Sequence, residues 1–345
     1  MPPTVDQLVA GIARHDRALL ARAISLVESQ SPRHTHDADQ LLASLAPRLG
    51  HATRIGITGV PGAGKSTFIE RLGLLLADRG HRVAVLAIDP SSVVTGGSIL
   101  GDRTRMARLA AHPNAYIRPS PSDGSLGGVA RRTREAALVC EAAGFDVILI
   151  ETVGVGQSET SVAHLVDAVL TLALPNAGDE LQGVKRGLLE VVDVIAVNKA
   201  DGDHAPRARH AAAELASALR VLRHGEDIPV LTCSAATGDN ITGVWDRLRT
   251  RVDSLRASGA LEARRRDQAA RWLHSVLDER LHALLHESPA AAAELDRAER
   301  EVRAMTTSPR AAAERVLTAL GQGLSPANTA QAANGSITLK PTEKP

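Results

Sequence analysis

Aromatic residues are nearly absent from this 345-residue chain: Phe68, Tyr116, Phe145, Trp245 and Trp272 are all it has. A core without large rings must be filled by Ala, Leu and Val, and a hydrophobic content of 44% is enough to build one. Cysteine is confined to Cys140 and Cys233, both in apolar stretches, which points to buried structural thiols. Charge of one sign is missing too. The 40 basic and 39 acidic residues leave a net +1, which argues against a nucleic-acid binder or a polybasic membrane anchor. No run approaches the roughly 18 apolar residues of a membrane helix, and no secretory signal opens the chain, so a cytoplasmic protein with no membrane partner is expected. No internal repeat is present.

Residues 59–66 read Gly-Val-Pro-Gly-Ala-Gly-Lys-Ser, a phosphate-binding loop of the form G-x-x-x-x-G-K-[ST]. It has the context it requires. Arg54 to Thr58 (RIGIT) reads as a strand, and TFIERLGLLLADRG reads as an amphipathic helix ending in glycine. Gly59, Gly62 and Gly64 let the backbone wrap a phosphate so that successive N–H groups point inward at the positive end of the helix. Lys65 is then placed to reach the outer phosphates and the Ser66 hydroxyl to ligate Mg²⁺. The expected ligand is a nucleoside triphosphate, and the loop's nucleotide-binding set is Gly59, Pro61, Gly62, Ala63, Gly64, Lys65, Ser66 and Thr67.

Which base is bound is addressed about 130 residues later by Asn198-Lys199-Ala200-Asp201, after the apolar strand VVDVIAVN. In an N-K-x-D loop the aspartate accepts hydrogen bonds from N1 and the exocyclic amine of guanine, which adenine cannot supply. A buried carboxylate without those donors costs several kcal/mol, so the loop filters for GTP or GDP. Asn198, Lys199 and Asp201 are joined by Ser234, Ala235 and Ala236, which follow the run IPVLT where GTPases place an S-A loop against the guanine carbonyl.

Apolar strands RIGIT, RVAVLAI, AYIR, DVILIE, AVLTLA, DVIAVN and IPVLT alternate with helical or loop segments. That alternation predicts an α/β, doubly wound, mainly parallel sheet: a phosphate-loop G domain over residues 51–256. Helical periodicity over 5–29 and a short helix around Gln40 to Leu49 form an N-terminal extension, residues 1–50. Beyond Arg256 the strands stop, and helical stripes over 261–286, 290–305 and 309–320 predict a C-terminal helical arm, 257–320. The remainder, 321–345, is polar and rich in Pro and Gly, and reads as a disordered tail.

Three carboxylates are candidates for Mg²⁺ together with Ser66. Glu151 stands where the usual D-x-x-G motif has aspartate, with Gly154 placed to meet a γ-phosphate. Asp89 ends the strand RVAVLAI, at the sheet edge that faces ligands in such folds. Asp102 lies in the loop GDRTRM. The alternative for each is a helix cap or a surface charge, and Mg²⁺ takes few direct protein ligands. Lys65, Asp102 and Glu151 are the candidate catalytic residues. Val155 occupies the position of the water-orienting glutamine of Ras-like proteins, so turnover is expected to be slow, with Asp102 or a partner completing the site. The histidine pair His34 and His36 reads as a solvated linker rather than a metal site.

The combination GITGVPGAGKST, AIDPSS, GDRTRM, ETVGVGQSE, PNAGDELQGVKRG and NKAD, with its flanking helices, resembles the MeaB/ArgK family of SIMIBI-class GTPases. These are G-protein chaperones of adenosylcobalamin-dependent methylmalonyl-CoA mutase. The resemblance spans about residues 5–320. It implies a homodimer built partly through the C-terminal helices, sluggish GTP hydrolysis, and coupling of that hydrolysis to cofactor loading and protection of the mutase. The cobalamin would belong to the mutase, not to this chain. It also implies that Asn176 to Arg186 is an additional switch loop, in which Asp179, Glu180, Gln182 and Lys185 relay nucleotide state to the partner. From the residues alone that segment is equally an ordinary charged turn. Three further readings stay open: a kinase or ATPase linked to amino-acid transport, a nickel-inserting GTPase, and a nucleotide-binding scaffold with no useful hydrolysis.

Overall fold

Seven strands, short and apolar, form one sheet in which every neighbouring pair is parallel. They are β1 (Thr53–Gly59), β2 (Val83–Asp89), β3 (Ala115–Pro121), β4 (Val147–Glu151), β5 (Ala168–Ala173), β6 (Val194–Val197) and β7 (Val230–Thr232). Their spatial order is β3-β2-β4-β1-β5-β6-β7. All seven correspond to the strands expected from the sequence. The computed structural model describes residues 2–29, 31–89, 106–121, 126–152, 162–175 and 186–323. Strands β4, β5 and β6 are buried at every position, which is why their sequences are continuous apolar runs rather than alternating ones.

Helices cover both faces. On one lie α4 (Lys65–Asp78), α5 (Ala107–Ala111) and α9 (Ile241–Ala257), sharing a core of Ile55, Ile57, Phe68, Leu72, Leu149, Leu170 and Trp245. On the other lie α1 (Val5–Ala13), α2 (Arg17–Val27), α3 (Pro32–Leu45) and α6 (Leu126–Ala142), around Ile12, Ile24, Leu41, Leu86, Ile148 and Ile150. Helices α7 (Arg186–Val191) and α8 (Ala205–Leu222) cover β6 and β7.

The N-terminal extension departs from its expected form. The single helix expected over 5–29 is two, because Asp16 caps a new start by accepting from the Ala18 and Leu19 N–H groups at 2.8 and 3.1 Å. His15 before it takes the left-handed φ of 62° that closes α1. The short helix expected at 40–49 begins earlier, at Pro32, whose ring suits a first turn, and ends in a 3₁₀ turn over Ala46–Arg48. His34 and His36 therefore lie on α3 rather than in a linker, exposed to solvent, with the His34 ring hydrogen-bonded to Ser29.

Helix α10 (Ala260–Glu287) crosses a boundary, since the chain divides into two compact units, Met1–Trp272 and Leu273–Pro345. Its first half belongs to the G domain through polar contacts at the amino-terminal edge of the sheet. Buried Asp167 accepts from the Arg54 N–H at 2.9 Å and takes the Arg265 guanidinium in a two-pronged pair at 2.9 and 2.7 Å. Arg265 also donates to the carbonyls of Gly50 and Ala52, and Gln268 donates to that of Val166 at 2.7 Å. Buried Glu141 accepts from the N–H groups of Gly50 and Ala52 and from Arg54. Within the second unit, α11 (Pro289–Arg303) and α12 (Pro309–Gly323) pack through Ala298, Ala312 and Val316, and Arg315 bridges Glu294 and Glu301. Leu273, Leu277 and Leu281 stand exposed along one stripe of α10.

Candidate nucleotide-binding site

The site lies at the carboxyl ends of the strands, where the loop after β1 turns into α4. Gly59 and Gly64 meet conditions that a side chain could not. Gly59 has a φ of 143°, and a Cβ there would run into the Leu172 carbonyl of neighbouring β5. Gly64 has a φ of 86°, and its Cβ would lie 2.7 Å from the Asn198 amide nitrogen. The loop is therefore drawn tight against two other elements, and it is closed on itself by the Ala63 N–H, which donates to the Val60 carbonyl at 3.1 Å. Ala63 is fully buried, Pro61 and Gly62 are exposed, and Thr67 is exposed on the first turn of α4. Lys65 is 9% exposed and folds back over the loop, donating to the Gly59 carbonyl at 2.8 Å and the Val60 carbonyl at 3.3 Å.

Ser66 and Glu151 meet as the sequence suggests: the serine hydroxyl donates to Glu151 Oε1 at 2.9 Å. Two hard oxygen donors side by side at the start of a phosphate-binding helix fit Mg²⁺, which would draw its other ligands from phosphate and water. Asp89 ends β2, two residues beyond the Ala87 that pairs with Glu151, so its backbone is at the same edge. The Asp89 side chain, and all of Asp102, Gly154, Asp179, Glu180, Gln182 and Lys185, lie outside the described residues. Beneath Glu151, the Thr152 hydroxyl donates to the Thr58 hydroxyl at 3.0 Å, both buried, which fixes the end of β4 to the strand that carries the loop.

Asn198 joins the two halves of the site. It is 1% exposed; its amide donates to the Ala63 carbonyl at 2.7 Å and its oxygen accepts from the Ala235 N–H at 2.9 Å. One side chain thus ties the phosphate loop to the Ser234–Ala236 loop. Lys199 takes a left-handed φ of 62°, and Asp201 is held by the Ser234 hydroxyl, which donates to its Oδ1 at 2.6 Å. Asn240, itself left-handed, closes the loop by donating to the Thr232 carbonyl at 2.7 Å. The nearby Cys233 thiol is buried, which pushes its pKa up to about 12, with Asp239 adding to the rise; Cys140 is shifted the same way by burial. Neither thiol is poised for chemistry.

Sequence reading missed two features: the bridging role of Asn198, and Arg71 on α4, which reaches the Ala235 and Ala236 carbonyls. No motif marks Arg71, because its partners are 164 and 165 positions away.

Residues 20–290 match the family model of the methylmalonyl-CoA mutase-associated GTPase MeaB. The chain belongs to that family. Among its relatives is a Mycobacterium tuberculosis protein named a probable GTPase, 53% identical over 317 residues, covering 91% of this chain and 94% of the relative. The mouse methylmalonic aciduria type A homolog, mitochondrial, is 44% identical over 328 residues, covering 91% and 79%. A solved LAO/AO transport system kinase superposes on this MeaB-family chain with a TM-score of 0.71 at 38% identity, covering 91% of this chain and 96% of that one. No helix among the described residues is long and apolar enough to cross a membrane.

Proposed function

We propose that this MeaB-family chain binds and slowly hydrolyses GTP, and that the GTP cycle assists cofactor loading and protection of an adenosylcobalamin-dependent acyl-CoA mutase, methylmalonyl-CoA mutase being the first client to test. The observation that carries the nucleotide half is the Asn198 bridge, which sets Asp201 and the Ser234–Ala236 loop at a fixed distance from the phosphate loop. The family match and the methylmalonic aciduria relative support the client.

In this reading Asp201 selects guanine, the loop N–H groups and Lys65 hold the phosphates, and Ser66 and Glu151, with Asp89 and Asp102, hold Mg²⁺ directly or through water. The metal supplies charge neutralisation of the phosphates when bound. Asp102 or a residue of the client orders the attacking water, because Val155 cannot. Asp179, Glu180, Gln182 and Lys185 report the nucleotide state to the mutase, which can respond only if it binds the two states with different affinity. The protein works in the cytoplasm as a homodimer through its C-terminal arm, and cobalamin stays on the mutase. The name of the solved LAO/AO relative favours a second reading, a transport-linked kinase using ATP.

Hydrolysis of GTP and ATP by the purified chain, alone and with an equimolar mutase, separates them. GTP-selective turnover that rises with the mutase supports the proposal. GTP turnover indifferent to the mutase removes the client, and preference for ATP removes the guanine reading.

A further inference from the structure

Arg71 projects from α4, the helix that starts at the phosphate loop, onto the loop that follows β7. Its Nε donates to the Ala235 carbonyl at 3.2 Å and its Nη2 to the Ala236 carbonyl at 2.7 Å. A planar guanidinium that grips two successive carbonyls fixes two peptide planes at once. In a trans peptide the C=O and N–H point in opposite directions. Holding the Ala235 carbonyl toward α4 therefore aims the N–H of Ala236, the other end of the same peptide, away from α4.

The surrounding amides are already engaged. The Ser234 N–H donates to the Asp239 carbonyl, Ala235 to Asn198, Thr237 to the Ser234 hydroxyl and Gly238 to the Ser234 carbonyl. Among the described residues, the Ala236 N–H is the one amide of this turn with no protein acceptor, and Ala236 is exposed. It belongs to the same turn whose Ser234 hydroxyl holds Asp201.

We infer that Arg71 is a positioning residue for purine recognition: it orients the Ala235–Ala236 peptide so that its N–H reads an oxygen at position 6 of the base. The inference rests on the guanine reading above, in which the Ser-Ala loop already lies against the guanine carbonyl, and adds to it the side chain that orients that loop. Asp201 reads the N1 and 2-amino edge; the Arg71-held peptide reads the 6-oxo edge.

Three diphosphates distinguish the two edges when their dissociation constants are measured with Mg²⁺ on the full chain. GDP has both features, inosine diphosphate keeps N1–H and the 6-oxygen but lacks the 2-amino group, and 2-aminopurine riboside diphosphate lacks the 6-oxygen and with it the N1 proton. Arg71→Ala should weaken GDP and inosine diphosphate by the same factor, about tenfold for one well-placed hydrogen bond, and 2-aminopurine riboside diphosphate by less than about twofold. Arg71→Lys, which can reach one carbonyl, should recover part of the loss. Equal weakening of all three nucleotides, or of none, overturns the role, and if Arg71→Ala does not fold, Arg71→Lys and Arg71→Gln are read by the same pattern. Wild-type protein that binds 2-aminopurine riboside diphosphate as tightly as GDP would instead overturn the guanine reading itself.

Discussion

Replacing Asn198 by alanine removes one side chain and leaves two buried backbone groups without partners. The Ala63 carbonyl loses a donor at 2.7 Å and the Ala235 N–H loses an acceptor at 2.9 Å. Ala63 is fully buried and Ala235 is 2% exposed, so water does not readily replace either bond. Each unsatisfied group costs about 1–3 kcal/mol, giving about 2–6 kcal/mol together. For a domain of this size 1 kcal/mol lowers the melting temperature by about 2–4 °C, so Asn198→Ala should melt about 4–24 °C below wild type. Thermal unfolding followed by circular dichroism, on nucleotide-free protein so that ligand linkage does not contribute, is the assay. Asn198→Asp supplies the control, because its carboxylate still accepts from Ala235 but sets an oxygen against the Ala63 carbonyl; it should do no better than alanine. A loss under about 1 °C for alanine, or a wild-type melting point for aspartate, would refute the bridge as a determinant of the folded site.

Four further outcomes are expected. Gly59→Ala should abolish nucleotide binding, measured by fluorescent GDP titration, because its Cβ has no room beside the Leu172 carbonyl and its φ is left-handed; near-normal affinity would show that the loop adapts. Glu151→Gln should weaken Mg²⁺-dependent GTP binding and hydrolysis while leaving Mg²⁺-free GDP binding within about twofold, the losses scaling with a charge-assisted contact of about 1.5–3 kcal/mol. Burial alone would raise the Glu141 pKa, but Arg54 and the N–H groups of Ala52 and Gly50 outweigh it and hold the carboxyl below the usual 4.5. Its stabilising contribution is therefore complete above pH 4.5 and falls away as the pH drops through the lowered value, and Glu141→Gln should flatten that acid limb of a stability-versus-pH curve. Finally, Cys140 and Cys233 should both resist a thiol reagent at pH 8 until the protein is unfolded, and rapid labelling of either would contradict their burial.

The sheet was legible because its central strands β4, β5 and β6 are buried at every position and so stand out as apolar runs, and the phosphate loop was legible because its chemistry demands glycines at set spacing. What stayed hidden depends on pairs of residues far apart in sequence. Nothing local marks Arg71 for the Ala235 and Ala236 carbonyls, or Arg265 for Asp167. The break between α1 and α2 was hidden for another reason. The apolar spacing of Leu8, Ile12, Leu20 and Ile24 continues across it, and only the cap at Asp16 and the left-handed His15 reveal that one periodic stretch is two helices. Motif logic named Ser66 and Glu151 as candidate Mg²⁺ ligands, and the structure joins their side chains by a hydrogen bond of 2.9 Å, with glutamate in place of the usual aspartate.

The Arg265 fork also sets an order of events during synthesis. A ribosome that has made every strand of the sheet, through Thr232, has not yet made the cation that neutralises Asp167, a side chain already committed to the start of β1 through the Arg54 N–H. Until residue 265 has left the exit tunnel, the nascent sheet holds a carboxylate that is costly to bury alone, and its edge at Gly50 and Ala52 lacks the guanidinium that gathers it. Completion of the nucleotide domain therefore waits for a helix whose second half lies in another unit, so that a chain truncated before α10 should be released with an unfinished floor beneath its nucleotide site.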